Sequence, residues 1–153
     1  MTKHDDPIQH ERQAAMAMLA QATLTDLKAL WEGSSFPTDA QLLRGPETGL
    51  VTLRGRIGGG GAPFNVGEAT VTRATVRMAD GAVGHSYALG RDKEKARLAA
   101  IAYALWQDPA RRSEVEAKLI EPLRAALAEA DQKRRAETAA TKVDFFTMVR
   151  GED

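Results

Sequence analysis

The feature that most constrains the fold is an Asp80-Gly81 pair between two stretches with strand-like alternation, residues 69–78 and 82–89. Asp-Gly favours a two-residue type I′ turn, because both central residues of that turn need positive φ. We therefore expect an antiparallel hairpin. Its bulkier face, which we expect to be buried, carries four cross-strand pairs: Met78 with Val83, Val76 with His85, Ala74 with Tyr87, and Thr72 with Leu89.

Helical patterns lie on both sides of this hairpin. Asp6 and Pro7 form a cap and first turn for one helix, and Asp92 is a good N-cap for another. Apolar residues recur at helical spacing behind each start. The chain is thus expected to form one α+β domain over residues 1–153, with an antiparallel sheet within about residues 40–90, N-terminal helices and two C-terminal helices. The expected elements are helices at 7–21, 23–32, 92–107 and 113–141, and a further strand at 50–57.

The C-terminal segment is unusually apolar for a chain end. Chain ends are normally polar and poorly ordered unless they are held by contacts. Burying a large apolar side chain is worth roughly 1.5–3 kcal/mol, so we expect this tail to dock on its own domain or on another chain. Residues 130–140 lack an apolar stripe, and we expect 130–153 to be a projecting helix end plus a docking tail. The expected docking residues are Val143, Phe145, Phe146, Met148, Val149 and Arg150.

The composition excludes several classes of function. Lys+Arg and Asp+Glu are both 21, so no charge bias favours nucleic acid or an anionic membrane. With no cysteine and three scattered histidines, a metal site is not expected. No apolar run is long enough to span a bilayer and no signal peptide is visible, which indicates a cytoplasmic protein.

Two motifs suggest chemistry but have simpler explanations. Residues 58–61 are four glycines, yet the Gly-Lys-Ser/Thr ending of a phosphate loop is missing. A flexible connector between strands is the better interpretation, with close approach to a ligand as the alternative. His85 lies between Val83 and Tyr87 on the face expected to be buried, which favours a core histidine over a catalytic base.

Arginine is the residue type here best suited to bind an anion, because its planar fork donates two parallel hydrogen bonds. Arg73 lies on a strand, and Arg91 lies just before the expected N-terminus of the helix that follows Asp92. Both are candidates for substrate or anion binding. The alternative is a solvated sheet face or ion pairing. The carboxylates are scattered, so the sequence predicts no catalytic residue.

Several segments together resemble the PhnG family of the bacterial carbon–phosphorus lyase system. The segment 143–151 is the most specific of them. His85 departs from the family pattern, which has an aromatic residue there. The resembling segments are Glu47-Thr48-Gly49-Leu50-Val51, residues 67–74, Asp80-Gly81, Gly90-Arg91-Asp92-Lys93 and residues 143–151.

The resemblance implies an obligate hetero-oligomeric subunit in phosphonate catabolism. With PhnH, PhnI and PhnL, such subunits support displacement of adenine from ATP by methylphosphonate, giving α-D-ribose 1-methylphosphonate 5-triphosphate. PhnJ cleaves the carbon–phosphorus bond later, and PhnI is the main catalytic candidate. ATP is then a co-substrate of the complex, and this chain is expected to bind no cofactor. The alternative is a self-associating binding or scaffold domain without a catalytic role.

Overall fold

The computed structural model describes residues 7–142, apart from the surroundings of Gly59. Helices flank a three-stranded sheet, so the expected α+β class is confirmed. The structure also has a 3₁₀ turn at Ile57–Gly59 and a π-helical turn at Glu116–Ile120. The elements are α1 Pro7–Gln21, α2 Leu24–Glu32, β1 Gln41–Gly55, β2 Phe64–Arg77, β3 Val83–Leu89, α3 Lys93–Gln107, α4 Pro109–Val115 and α5 Glu121–Ala140.

The sheet is antiparallel with strand order β1-β2-β3, and the core lies on one of its faces. Helix α3 packs against β2 and β3, helices α1, α2 and α4 contact α3, and α5 contacts the π-helical turn and α1. Burying these side chains supplies the main favourable contribution to folding. Within residues 7–142, no helix is long and apolar enough to cross a membrane. The largest fully buried residues are Trp106, Leu27, Ile101, Leu105, Leu119, Ile120, Leu123, Val76, Val115 and Thr72.

Side-chain caps set the starts of the later helices. The Asp92 carboxylate accepts a hydrogen bond from the Lys95 N–H at 2.9 Å, which confirms Asp92 as the cap of α3. The expected start of the last helix near residue 113 was wrong. Asp108 caps α4 instead, and Pro109 occupies the first turn, where no N–H is needed. The expected cap Asp6 lies outside the described residues.

The hairpin between β2 and β3 has a three-residue loop, so the predicted register was wrong. The Met78 N–H donates to the Ala82 carbonyl at 2.8 Å, and the Gly81 N–H donates to the Met78 carbonyl at 3.0 Å. Gly81 is left-handed, at φ 92°, as the three-residue hairpin requires. The observed pairs on the face that contacts the helices are Val76 with Gly84, Ala74 with Ser86, and Thr72 with Ala88.

A slip of one residue turns every side chain of a strand to the other face. The buried face of β2 was predicted correctly, but that of β3 was not. His85, expected in the core, is exposed and lies across from Thr75, with 3.2 Å between its Nδ1 and Thr75 Oγ1. Tyr87 and Leu89 also face away from the helices. The prediction that His85 lies in the core was therefore wrong.

The residue that replaces His85 in the core contact is Gly84. A Cβ built on Gly84 would overlap the Ala100 carbonyl oxygen and lie 2.7 Å from the Ala104 nitrogen. Both atoms belong to the α3 backbone, which cannot rotate away. A glycine inside a strand commonly marks such a close approach of another backbone.

We predict that Gly84→Ala destabilises the protein by about 3 kcal/mol or more, because β3 and α3 must separate to admit the methyl group. Gly49→Ala is the matched control, since nothing lies within 4 Å of a Cβ built there. Urea unfolding of the two variants measures the difference. Equal free energies of unfolding for both would contradict the close contact.

Lys95 connects α3 to the end of α1. Its Nζ donates a hydrogen bond to the Ala20 carbonyl at 2.8 Å. Burial lowers the pKa of Lys95 below 10.5, and the nearby Asp92 carboxylate offsets only part of that effect. The folded protein therefore holds this proton less tightly than the unfolded chain does.

From this difference we predict a stability that depends on pH. The cost of burying the Lys95 charge is fully present below the folded pKa and is relieved as the pH rises toward 10.5. The free energy of unfolding of the wild type, measured relative to Lys95→Met, should rise as the pH increases toward 10.5. Lys93→Met, which removes an exposed lysine from the same helix, is the control. A flat or falling difference would refute the assignment.

Candidate functional site

The long strand β1 forms an open edge of the sheet. Every residue of Gln41–Gly55 is exposed or half-buried. Its pairing with β2 shifts between Leu42 and Arg44, between Arg44 and Glu47, and between Leu53 and Arg54. Such bulges interrupt the row of unpaired backbone groups and discourage non-specific pairing along an edge. The surface available for function is thus the face of this sheet more than its edge.

Residues directly opposite each other in a sheet lie on the same face, as do residues two apart along a strand. Val51 pairs with Ala69, Val71 with Leu89, and Arg73 with Tyr87. This face points away from α3, because the alternate residues of β2 contact that helix. We call its apolar part the outer face: Val51, Leu53, Phe64, Val66, Ala69, Val71, Tyr87 and Leu89.

Phe64 and Val66 join the outer face through the bulge opposite Leu53. Gly55 follows Leu53 on the same face and pairs with Phe64. A Cβ built on Gly55 would lie 3.4 Å from Val66 Cγ1, so Val66 covers the same side. The outer face therefore continues to the end of the β1–β2 ribbon.

The opposite face of this ribbon is mainly polar. Thr48 Oγ1 lies 3.0 Å from Thr72 Oγ1, and Thr72 Oγ1 donates to the Gly90 carbonyl at 2.7 Å. Leu50 with Thr70, and then Thr52 with Glu68, are the following pairs on that face. The usual pattern, with polar residues on the side away from the helices, is thus reversed along this ribbon.

Arg73, predicted to bind an anion, lies at the border of the outer face. Its Nη2 and Nε lie 3.0 and 3.3 Å from Glu47 Oε2. Both side chains are exposed, so the pair contributes little to stability. The guanidinium already has a carboxylate partner, and an incoming anion would share or replace it. A shallow pocket of about 360 Å³ surrounds the pair.

Arg91, the second candidate, is exposed between left-handed Gly90 and the α3 cap Asp92. The residues between Tyr87 and Arg91 separate it from Arg73, which pairs with Tyr87. The register thus does not make the two arginines neighbours. Anion binding by either residue stays a prediction. Within residues 7–142, no three His, Asp or Glu side chains are grouped to hold a metal.

The predicted docking residues Val143, Phe145, Phe146, Met148, Val149 and Arg150 lie outside the described residues. Helix α5 leads toward them, and from 128 to 140 it is exposed except for half-buried Asp131. Its role as an arm that carries the tail stays a prediction. Sequence reasoning also missed the outer face, because the error of one residue in the hairpin assigned Tyr87 and Leu89 to the core.

The sequence matches the family described as "Phosphonate metabolism protein PhnG" over residues 10–151. A curated relative from Rhizobium meliloti (strain 1021) is 55% identical over 149 residues, covering 97% of this chain and 95% of the relative. Its name is "Alpha-D-ribose 1-methylphosphonate 5-triphosphate synthase subunit PhnG". The resemblance seen in the sequence is thus confirmed, and the chain belongs to the PhnG family of phosphonate metabolism proteins.

Proposed function

We propose that this chain is a subunit of a synthase that makes α-D-ribose 1-methylphosphonate 5-triphosphate during phosphonate breakdown. The observation that carries the proposal is the 55% identity to a named synthase subunit, which covers nearly the full length of both chains. Deletion of the gene, followed by assay of growth on methylphosphonate as sole phosphorus source, tests the pathway. Normal growth of the deletion strain, in the absence of a second copy, would contradict it.

The reaction joins a phosphonate to the ribose of ATP. An oxygen of methylphosphonate forms a bond to ribose C1′, the bond from C1′ to adenine N9 breaks, and adenine leaves after gaining a proton. The 5′-triphosphate is retained. A site for this reaction needs cationic groups for two anionic substrates and an acid that protonates the leaving adenine.

We assign that acid to a partner chain. Among residues 7–142, the carboxylate beside Arg73 is Glu47, an exposed group that already pairs with this arginine. No buried carboxylate or histidine lies near it to act as an acid, since buried polar residues in this range are Thr72 and Ser86. This chain then supplies assembly contacts and, through Arg73 and Arg91, cationic groups at a shared site. ATP enters as co-substrate, which places the reaction in the cytoplasm.

The partners we propose are PhnH-, PhnI-, PhnJ- and PhnL-like chains. The segment 143–153 is the proposed anchor, since its five large apolar side chains are costly to leave in water. A self-associating domain is the alternative, and the exposed apolar outer face is the observation that favours it. Light scattering of the isolated chain separates the two: a stable homodimer supports the alternative, whereas aggregation relieved by partners supports the subunit.

We predict that deletion of residues 143–153 lowers co-purification with a PhnI-like partner at least about tenfold, equivalent to losing about 1.4 kcal/mol of binding free energy. Deletion of 151–153 alone is the control, because it removes Gly151, Glu152 and Asp153 and keeps the apolar run. Affinity purification of the co-expressed subunits measures the ratio. Full recovery of the complex with the longer deletion would rule out the anchor.

For the arginines we predict that Arg73→Ala and Arg91→Ala each lower kcat/KM of the assembled complex by about tenfold or more, since each removes a charge-assisted contact to an anion. Arg77→Ala, an exposed arginine on the same strand as Arg73, is the matched control. Adenine release from ATP and methylphosphonate is the assay, and gel filtration verifies the subunit composition. Normal turnover by both variants in intact complexes would exclude the arginines from the site.

A further inference from the structure

We propose that the outer face is the contact surface for a different subunit of the synthase, one that presents an uncharged, apolar surface of its own. This inference rests on the proposed function and adds a second contact region to the tail. It assigns a role to residues 51–53, 64–71 and 87–89, none of which takes part in the anion contacts considered above.

The first support is the exposure of the outer face. The fold leaves large apolar side chains in water on the side of the sheet away from the helices. Half-buried Val51 and Ala69 and buried Val71 lie between them and connect them across the three strands. The exposed fractions are 71% for Leu89, 59% for Val66, 51% for Tyr87, 46% for Leu53 and 42% for Phe64.

The second support is the size of the outer face. At roughly 150–250 Å² for an aromatic side chain, and somewhat less for Leu and Val, these fractions leave on the order of 500 Å² of apolar surface in water. The largest apolar patch on a typical monomer is about 300–600 Å², and such patches are often functional. A standard interface buries about 800 Å² on each partner, about 60% of it apolar. The outer face therefore supplies about the apolar area that one stable interface needs.

The third support is the shape and charge of the surface. A groove of about 490 Å³ opens beside the outer face and is lined by Ala20, Gln21, Val51, Val71, Tyr87 and Leu89, together with Ala88 and Lys95. It can receive a protruding apolar side chain. The outer face itself consists of Val, Leu, Phe, Ala and Tyr residues and carries no charge. An uncharged, apolar partner surface therefore fits it best.

The occupant to which the proposal commits is a different chain. The 55% identical relative is named as a subunit of a synthase, so a chain of this kind has partners to contact. A second copy of this chain and the tail 143–153 are the competing occupants. Interfaces in obligate complexes are also more apolar than transient ones, and the outer face is apolar.

The test compares charge substitutions on the two faces of the ribbon. Leu89→Glu and Leu53→Glu place a carboxylate on the outer face. Leu50→Glu is the matched control, because Leu50 is 63% exposed on β1 but pairs with Thr70 on the opposite face. In co-expression with the other synthase subunits, we expect recovery of the complex to fall about tenfold or more for the outer-face variants. The control should stay within about twofold.

The isolated variants should keep the wild-type melting temperature within about 2 °C, since all three sites are exposed in the fold. Hydrogen exchange of the wild type provides a second measurement without substitution. Amides of residues 51–53, 69–71 and 87–89 should exchange more slowly in the complex than in the isolated chain. Equal exchange in the two states would overturn the proposal even if a variant failed to fold.

Three further outcomes would overturn it. Equal losses for Leu50→Glu and Leu89→Glu would show an effect unrelated to the outer face. A homodimer of the isolated chain that Leu89→Glu converts to monomer would identify a second copy as the occupant. Faster exchange at 87–89 in the isolated chain after deletion of 143–153 would identify the tail. Failure of the wild type to associate with any synthase subunit contradicts the proposed function itself, whereas a complex that tolerates Leu89→Glu contradicts only this inference.

Discussion

The close contact between Gly84 and the α3 backbone is the constraint on which the sheet's arrangement depends. It allows β3 to lie against α3 at a distance that any side chain would prevent. Two hydrogen bonds hold the same register: Ser86 Oγ donates to the Ala96 carbonyl at 2.6 Å, and Gln107 Nε2 donates to the Val83 carbonyl at 2.6 Å. Because strand side chains alternate, fixing Gly84 inward also fixes Tyr87 and Leu89 outward. The outer face, the proposed contact surface, is thus a consequence of one packing contact.

The helices and the fold class could be predicted from the sequence because their signals are local. Asp92 caps α3 through an amide three residues away, and apolar spacing marks the buried side of each helix. The register of the hairpin, in contrast, does not depend on local signals alone. Asp80-Gly81 suits both a two-residue turn and a three-residue loop with a left-handed glycine, and contact with α3 decides between them. The small residues Gly84, Ser86 and Ala88 at alternate positions were the available signal for a strand face packed under a helix.

The candidate site shows the same limit. Arg73 and Arg91 were chosen for the chemistry of arginine, which a sequence displays directly. That Arg73 meets Glu47 depends on β1–β2 pairing across 26 residues, including the bulge opposite Leu53, whose position no local pattern specified. The same long-range pairing brings Val51 beside Ala69 and builds the outer face. The sequence therefore shows which residues can bind an anion more readily than it shows which residues share a surface.

The position of the exposed apolar surface bears on whether this chain functions alone or in contact with another chain. A domain that acts alone gains stability by turning its apolar sheet face inward. Here an apolar face is held outward by the close packing of Gly84 against α3. Moving Leu89 inward would require β3 to slip by one residue, and that slip would drive His85 into the α3 backbone where only glycine fits. Residues 7–142 therefore cannot turn the outer face toward the helices without losing the contact at Gly84. The exposure of the outer face is thus built into the architecture, as expected of a protein whose folded unit is completed by another chain.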